Sequence, residues 1–82
     1  MNKKGLTPDE LFLIKLYQIA SAKGDLYRPV EIAQVAKAIC YKETAVKNIV
    51  NMLAQTNFLK KVGTTLVSLT PHGYKFVLSE LQ

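Results

Sequence analysis

Eighty-two residues, 49% of them apolar, with a mean hydropathy of +0.09, suit one domain around one core, and a chain this short cannot support two. A formal charge of +5 and a pI near 9.5 favour polyanionic partners without specifying a sequence among them. With Cys40 the single cysteine and His72 the single histidine, neither an intramolecular disulfide nor an ordinary zinc site can be assembled.

The charge is unevenly distributed. No acidic residue occurs between Thr44 and Ser79, while Lys47, Lys60, Lys61 and Lys75 all fall there. No Ser-His-acid arrangement, G-x-S-x-G turn or phosphate-binding glycine loop is present, so neither an enzyme nor a cofactor is expected. The opening residues are too short and polar for a signal peptide, and no apolar run approaches the ~20 residues of a membrane span. A cytoplasmic location without membrane contact is the expectation. No small-molecule pocket is evident in a domain this small.

Residues 1–5 read as a frayed arm. The first helix is signalled by Thr7-Pro8-Asp9-Glu10, where Thr7 caps, Pro8 fits the first helical position and Glu10 closes a capping box. It runs to about Ala22, with Gly24 free to take the left-handed conformation that stops a helix. At ~100° per residue, Phe12, Leu13, Ile14, Leu16, Tyr17, Ile19 and Ala20 sweep more than half the circumference. Such a helix either lies deep in the domain or serves a second interface.

Asp25 to Arg28 reads as a short extended connector, because the residue before Pro29 is pushed out of the helical region. Pro29 then opens a second helix, Val30 to about Ala38, with Ile32, Val35, Ala36 and Ile39 inward. Only Ile39 to Lys42 separates it from the third helix, so the two must cross steeply. The third helix, about Glu43 to Thr56, sets Val46, Ile49, Val50 and Leu53 on one arc and Thr44, Lys47, Asn48, Asn51 and Gln55 on the other.

After Asn57 the period changes to two. Phe58 to Val62 and Thr65 to Leu69 read as a hairpin turning near Gly63-Thr64. Thr70-Pro71 repeats the cap signal and opens a fourth helix, with Tyr74, Val77, Leu78 and Leu81 sharing a face and Phe76 pointing the other way.

The expected fold class is therefore α+β, mainly α: a single domain, 1–82, with a three-helix core, a β-hairpin and a C-terminal helix. The segments VEIAQVAKAI, TAVKNIVNMLAQTNFLKKV and LVSLTPHGYKFV resemble the winged helix-turn-helix superfamily of bacterial and archaeal DNA-binding regulators, MarR-like and related small repressors. The resemblance spans about Leu11 to Leu81, and the LTPHG step from second hairpin strand into the last helix is its most telling part. It implies a transcriptional regulator whose third helix, about 43–56, enters the major groove of double-stranded DNA while the hairpin, 58–69, meets the backbone. Two departures stand out. The turn Ala38 to Lys42 has no glycine, and the hairpin is short with no arginine at its tip, which argues against its insertion into the minor groove.

Thr44, Lys47, Asn48 and Asn51 are the candidates for reading bases, since amides and hydroxyls donate and accept and lysine reaches guanine acceptors. An ordinary solvated helix face is the alternative. Lys42, Lys60 and Lys61 suit phosphates, although adjacent strand residues point to opposite faces, so only one of Lys60 and Lys61 can face DNA in one pose. Arg28 is placed to meet a phosphate at the second helix's N-terminus. Tyr41 packs over the turn or donates to a phosphate, and Cys40 reads as a small turn residue. The apolar surplus motivates a homodimer through Phe12, Leu13 and Phe76. A winged helix used for protein interaction or assembly is the rival function.

Overall fold

Helix α1 (Pro8–Ala22) is the hub of the molecule. The computed structural model describes residues 7–81; the arm expected over residues 1–5 and the Leu81 side chain lie outside what is described. At its start the Thr7 hydroxyl accepts from the Glu10 amide at 3.3 Å while the Glu10 carboxylate accepts from the Thr7 amide at 3.0 Å, completing the capping box. Phe12, Leu13, Ile14, Leu16 and Ala20 are buried, because α1 packs on three other helices and on the sheet. The wide apolar arc is thus consumed inside the domain. Phe12 and Leu13, expected on a dimer surface, are 0% and 1% exposed and cannot form one.

The connector that follows is a turn rather than an extended segment. The Asp25 carboxylate accepts from the Tyr27 amide at 3.0 Å and its carbonyl accepts from the Arg28 amide at 3.2 Å. The chain then forms β1 (Val30–Glu31), a two-residue strand where the second helix was expected to begin. Pro29 fixes its own φ and disfavours helix at Arg28, and β-branched Val30 buries itself opposite Val67. Helix α2 (Ile32–Ala38) starts two residues later than its sequence signal.

Helix α3 (Glu43–Gln55) buries Val46, Val50 and Leu53, as its pattern requires. Strands β2 (Leu59–Val62) and β3 (Leu66–Leu69) form the antiparallel hairpin, in register from Leu59 opposite Leu69 to Val62 opposite Leu66. With β1 they make a three-stranded antiparallel sheet ordered β1-β3-β2. Helix α4 (Pro71–Leu81) follows β3. The result is an α+β domain, mainly helical, with one core to which all four helices and all three strands contribute buried residues.

Three helices stop in the same way. After α1, α2 and α3, the residue following the C-cap is Gly24, Cys40 or Asn57, with φ of +87°, +62° and +67°. In each case its amide and the next one turn back onto carbonyls of the last helical turn: Gly24 to Ser21 and Asp25 to Ala20, Cys40 to Lys37 and Tyr41 to Ala36, Asn57 to Ala54 and Phe58 to Leu53. This is the Schellman motif. The missing glycine between α2 and α3 is therefore replaced by Cys40, a side chain held in the left-handed region.

Gly73 has a different reason. It lies in the first turn of α4, directly over the Phe58 carbonyl, which a Cβ would overlap. Thr70 caps this helix, accepting from the Gly73 amide at 3.0 Å while donating its hydroxyl to the Asn57 carbonyl at 2.6 Å. The close approach makes Gly73 and Val77 the inward line of α4, so Phe76 falls on one flank and packs against Phe58 with centroids 5.4 Å apart. Phe76 is half-buried, not turned outward, and it is Leu78 that points to solvent, 37% exposed.

Candidate functional site

The polar face of α3 and the hairpin enclose an open groove of about 730 Å³. One wall is α3, contributing Glu43, Thr44, Lys47 and Asn51 above the buried Val50. The other is the hairpin, with Lys61 on β2 and Thr64 and Thr65 in its turn. Glu31, Ile32 and Ala33, where β1 passes into α2, close one side.

Two hydrogen bonds fix its dimensions. Lys61 Nζ donates to Asn51 Oδ1 at 2.9 Å, tying hairpin to helix, and the Ile32 amide donates to the Thr65 carbonyl at 2.9 Å, tying the start of α2 to the hairpin turn. The first follows from strand alternation. Leu59 and Lys61 share a face of β2, so the face that buries Leu59 in the core carries Lys61 past the core edge to α3. Lys60 points away, exposed, on the other face.

Of the residues selected from sequence, the groove gathers Thr44, Lys47, Asn51 and Lys61. Asn48 is exposed on α3 but turned further round the helix, and Lys42, the N-cap residue of α3, is exposed at the helix start without capping it through its side chain. Arg28 is exposed in the turn before β1. Because β1 intervenes, Glu31 and not Arg28 directly precedes α2, holding its N-cap position without a side-chain cap bond, and Arg28 lies three residues further back. Tyr41 packs its ring on the core edge, and Cys40 is exposed.

Two acidic groove residues escaped the sequence reading as functional candidates. Glu31 reaches the groove only because β1 pairs with β3, a contact between residues far apart in the chain. Glu43, the first residue of α3, lies one turn from Lys47 on the same wall. Consequently Lys47 and Lys61 face two carboxylates, and the groove carries no net formal charge. Lys42, Lys60 and Arg28 are exposed and do not line it. Among the described residues no group of three or more His, Cys, Asp or Glu side chains could hold a metal ion, and no helix is long and apolar enough to cross a membrane.

The chain matches no protein-family model and has no significant match to a curated protein.

Proposed function

We propose that this chain is a winged helix-turn-helix that binds double-stranded DNA in the cytoplasm as a transcriptional regulator, with α3 in the major groove and the β2–β3 hairpin against the backbone. The element order supports the reading: α2 and α3 follow one another across a four-residue turn, and the hairpin comes directly after α3. One observation carries it. Thr44, Lys47 and Asn51 are exposed along one face of α3 and share a groove with Lys61 of the hairpin, so base-reading and phosphate-holding side chains open to the same side.

In this arrangement Lys47 donates to guanine acceptors, Thr44 supplies a hydroxyl, and Lys61 holds phosphate as a point charge. Lys42 at the start of α3 adds a second phosphate contact. A single module of this size makes few contacts, so two copies reading two half-sites would gain specificity. Selection from a pool of random duplexes tests the reading, with enrichment of a defined site expected and a steep loss of affinity on adding salt. Flat titrations against mixed-sequence duplex at low salt would sink it.

A second reading is favoured by the groove's own carboxylates. Glu31 and Glu43 oppose phosphate approach, and Tyr27, Met52 and Leu78 are exposed apolar side chains suited to a protein surface. A winged helix recruited for protein interaction would show the same combination. Duplex selection separates the two.

A further inference from the structure

We infer that Glu43 is a specificity-determining residue of the duplex-binding groove, accepting a hydrogen bond from the exocyclic amino group of a cytosine or adenine. The inference rests on the duplex-binding reading and assigns a base chemistry to it. Glu43 is the first residue of α3, exposed, on the wall shared with Thr44, Lys47 and Asn51. The N-terminal residues of a helix laid in the major groove are those that meet base edges.

An ionised carboxylate accepts hydrogen bonds and donates none. Phosphates offer it only repulsion, and in the major groove the sole donors are cytosine N4 and adenine N6. The neighbouring side chains sharpen this role. Lys47, one turn further along the same wall, is donor-only, and the Asn51 carbonyl oxygen is already engaged by Lys61. Glu43 is therefore the wall's one acceptor-only side chain, set beside a donor-only one, so the groove asks for an amino group next to guanine-type acceptors.

Glu31 lies across the groove, at the junction of β1 and α2 rather than on α3, and provides the internal contrast. Its charge repels phosphate without reaching base edges.

The test uses the whole chain and a random duplex pool at low salt, comparing wild type, Glu43→Ala, which removes the acceptor, and Glu31→Gln. Wild type should enrich sites with cytosine or adenine at one position. Glu43→Ala should bind the unselected pool more tightly while its preference at that position falls by roughly 5- to 100-fold. Glu31→Gln should raise affinity evenly and leave the selected site unchanged. A role confined to the helix macrodipole would alter the melting temperature without altering base preference. An identical selected site for wild type and Glu43→Ala overturns the inference and leaves duplex binding standing. Failure of the wild type to enrich any duplex overturns duplex binding itself.

Discussion

Replacing Gly73 by alanine puts a methyl group where the Phe58 carbonyl already is. The Cβ would overlap the carbonyl oxygen, sit 2.9 Å from its carbon and touch Leu69 Cδ1 at 3.1 Å. Leu69 can turn aside, but the other two atoms are backbone, fixed by the Phe58 amide's bond to Leu53 and by the Thr70 hydroxyl's bond to the adjacent Asn57 carbonyl. Helix α4 must therefore lift, loosening Val77 from the core and Thr70 from its cap. Overpacking of this kind costs about 1–3 kcal/mol, and contact with unyielding backbone puts the cost at the upper end. Alanine's better helix propensity returns about 1 kcal/mol. A net loss of about 2 kcal/mol lowers the melting temperature of a domain this size by roughly 8–16 °C. Denaturant titration with an unchanged m-value and a reduced midpoint is the assay. Equal or greater stability of Gly73→Ala would show that α4 does not rest on the Phe58 carbonyl.

Three further outcomes are expected. Cys40→Gly should stabilise the domain by about 0.5–1 kcal/mol, since glycine relieves a left-handed residue costing ~1–2 kcal/mol and returns part of that as chain entropy; an unchanged denaturation midpoint would count against the strain. Lys47→Glu and Lys61→Glu should each weaken duplex binding strongly and flatten its salt dependence, whereas Lys60→Glu, on the opposite strand face, should do so less; equal effects in filter binding would contradict the strand orientation. Any dimer must use surface other than Phe12 and Leu13, so Leu78→Asp and Met52→Asp are the substitutions expected to shift sedimentation toward monomer, while a monomeric wild type at high micromolar concentration removes the dimer altogether.

Much of the fold was legible because its signals are local. The Thr7–Glu10 capping box, the Gly24 stop and the inward arc of α3 each lie within a few residues of sequence. The failures share the opposite property. Val30 and Glu31 become a strand only through Val67 and Leu66, and no window around Pro29 contains that partner. The inward direction of α4 was misjudged because hydrophobicity alone placed Leu78 inside; the close approach of Gly73 to Phe58 rotates the helix so that Phe76 packs instead. At the candidate site, the spacing of Thr44, Lys47 and Asn51 located one wall. Glu31 on the far side could not be seen, because its place depends on the sheet.

The hydrogen bond from the Ile32 amide to the Thr65 carbonyl sets the separation of hairpin and α2 through main-chain atoms alone. The adjoining pair, Glu31 with Leu66, does the same. The spacing of hairpin and α2 is therefore independent of side chains, while that of hairpin and α3 also passes through the Lys61–Asn51 bond. Substitutions at positions 31, 43, 44 and 47 can exchange donors for acceptors, or charge for neutrality, while both ties stay in place. For a small module this separates the evolution of preference from the maintenance of architecture: new partners can be tried one side chain at a time on an unchanged frame.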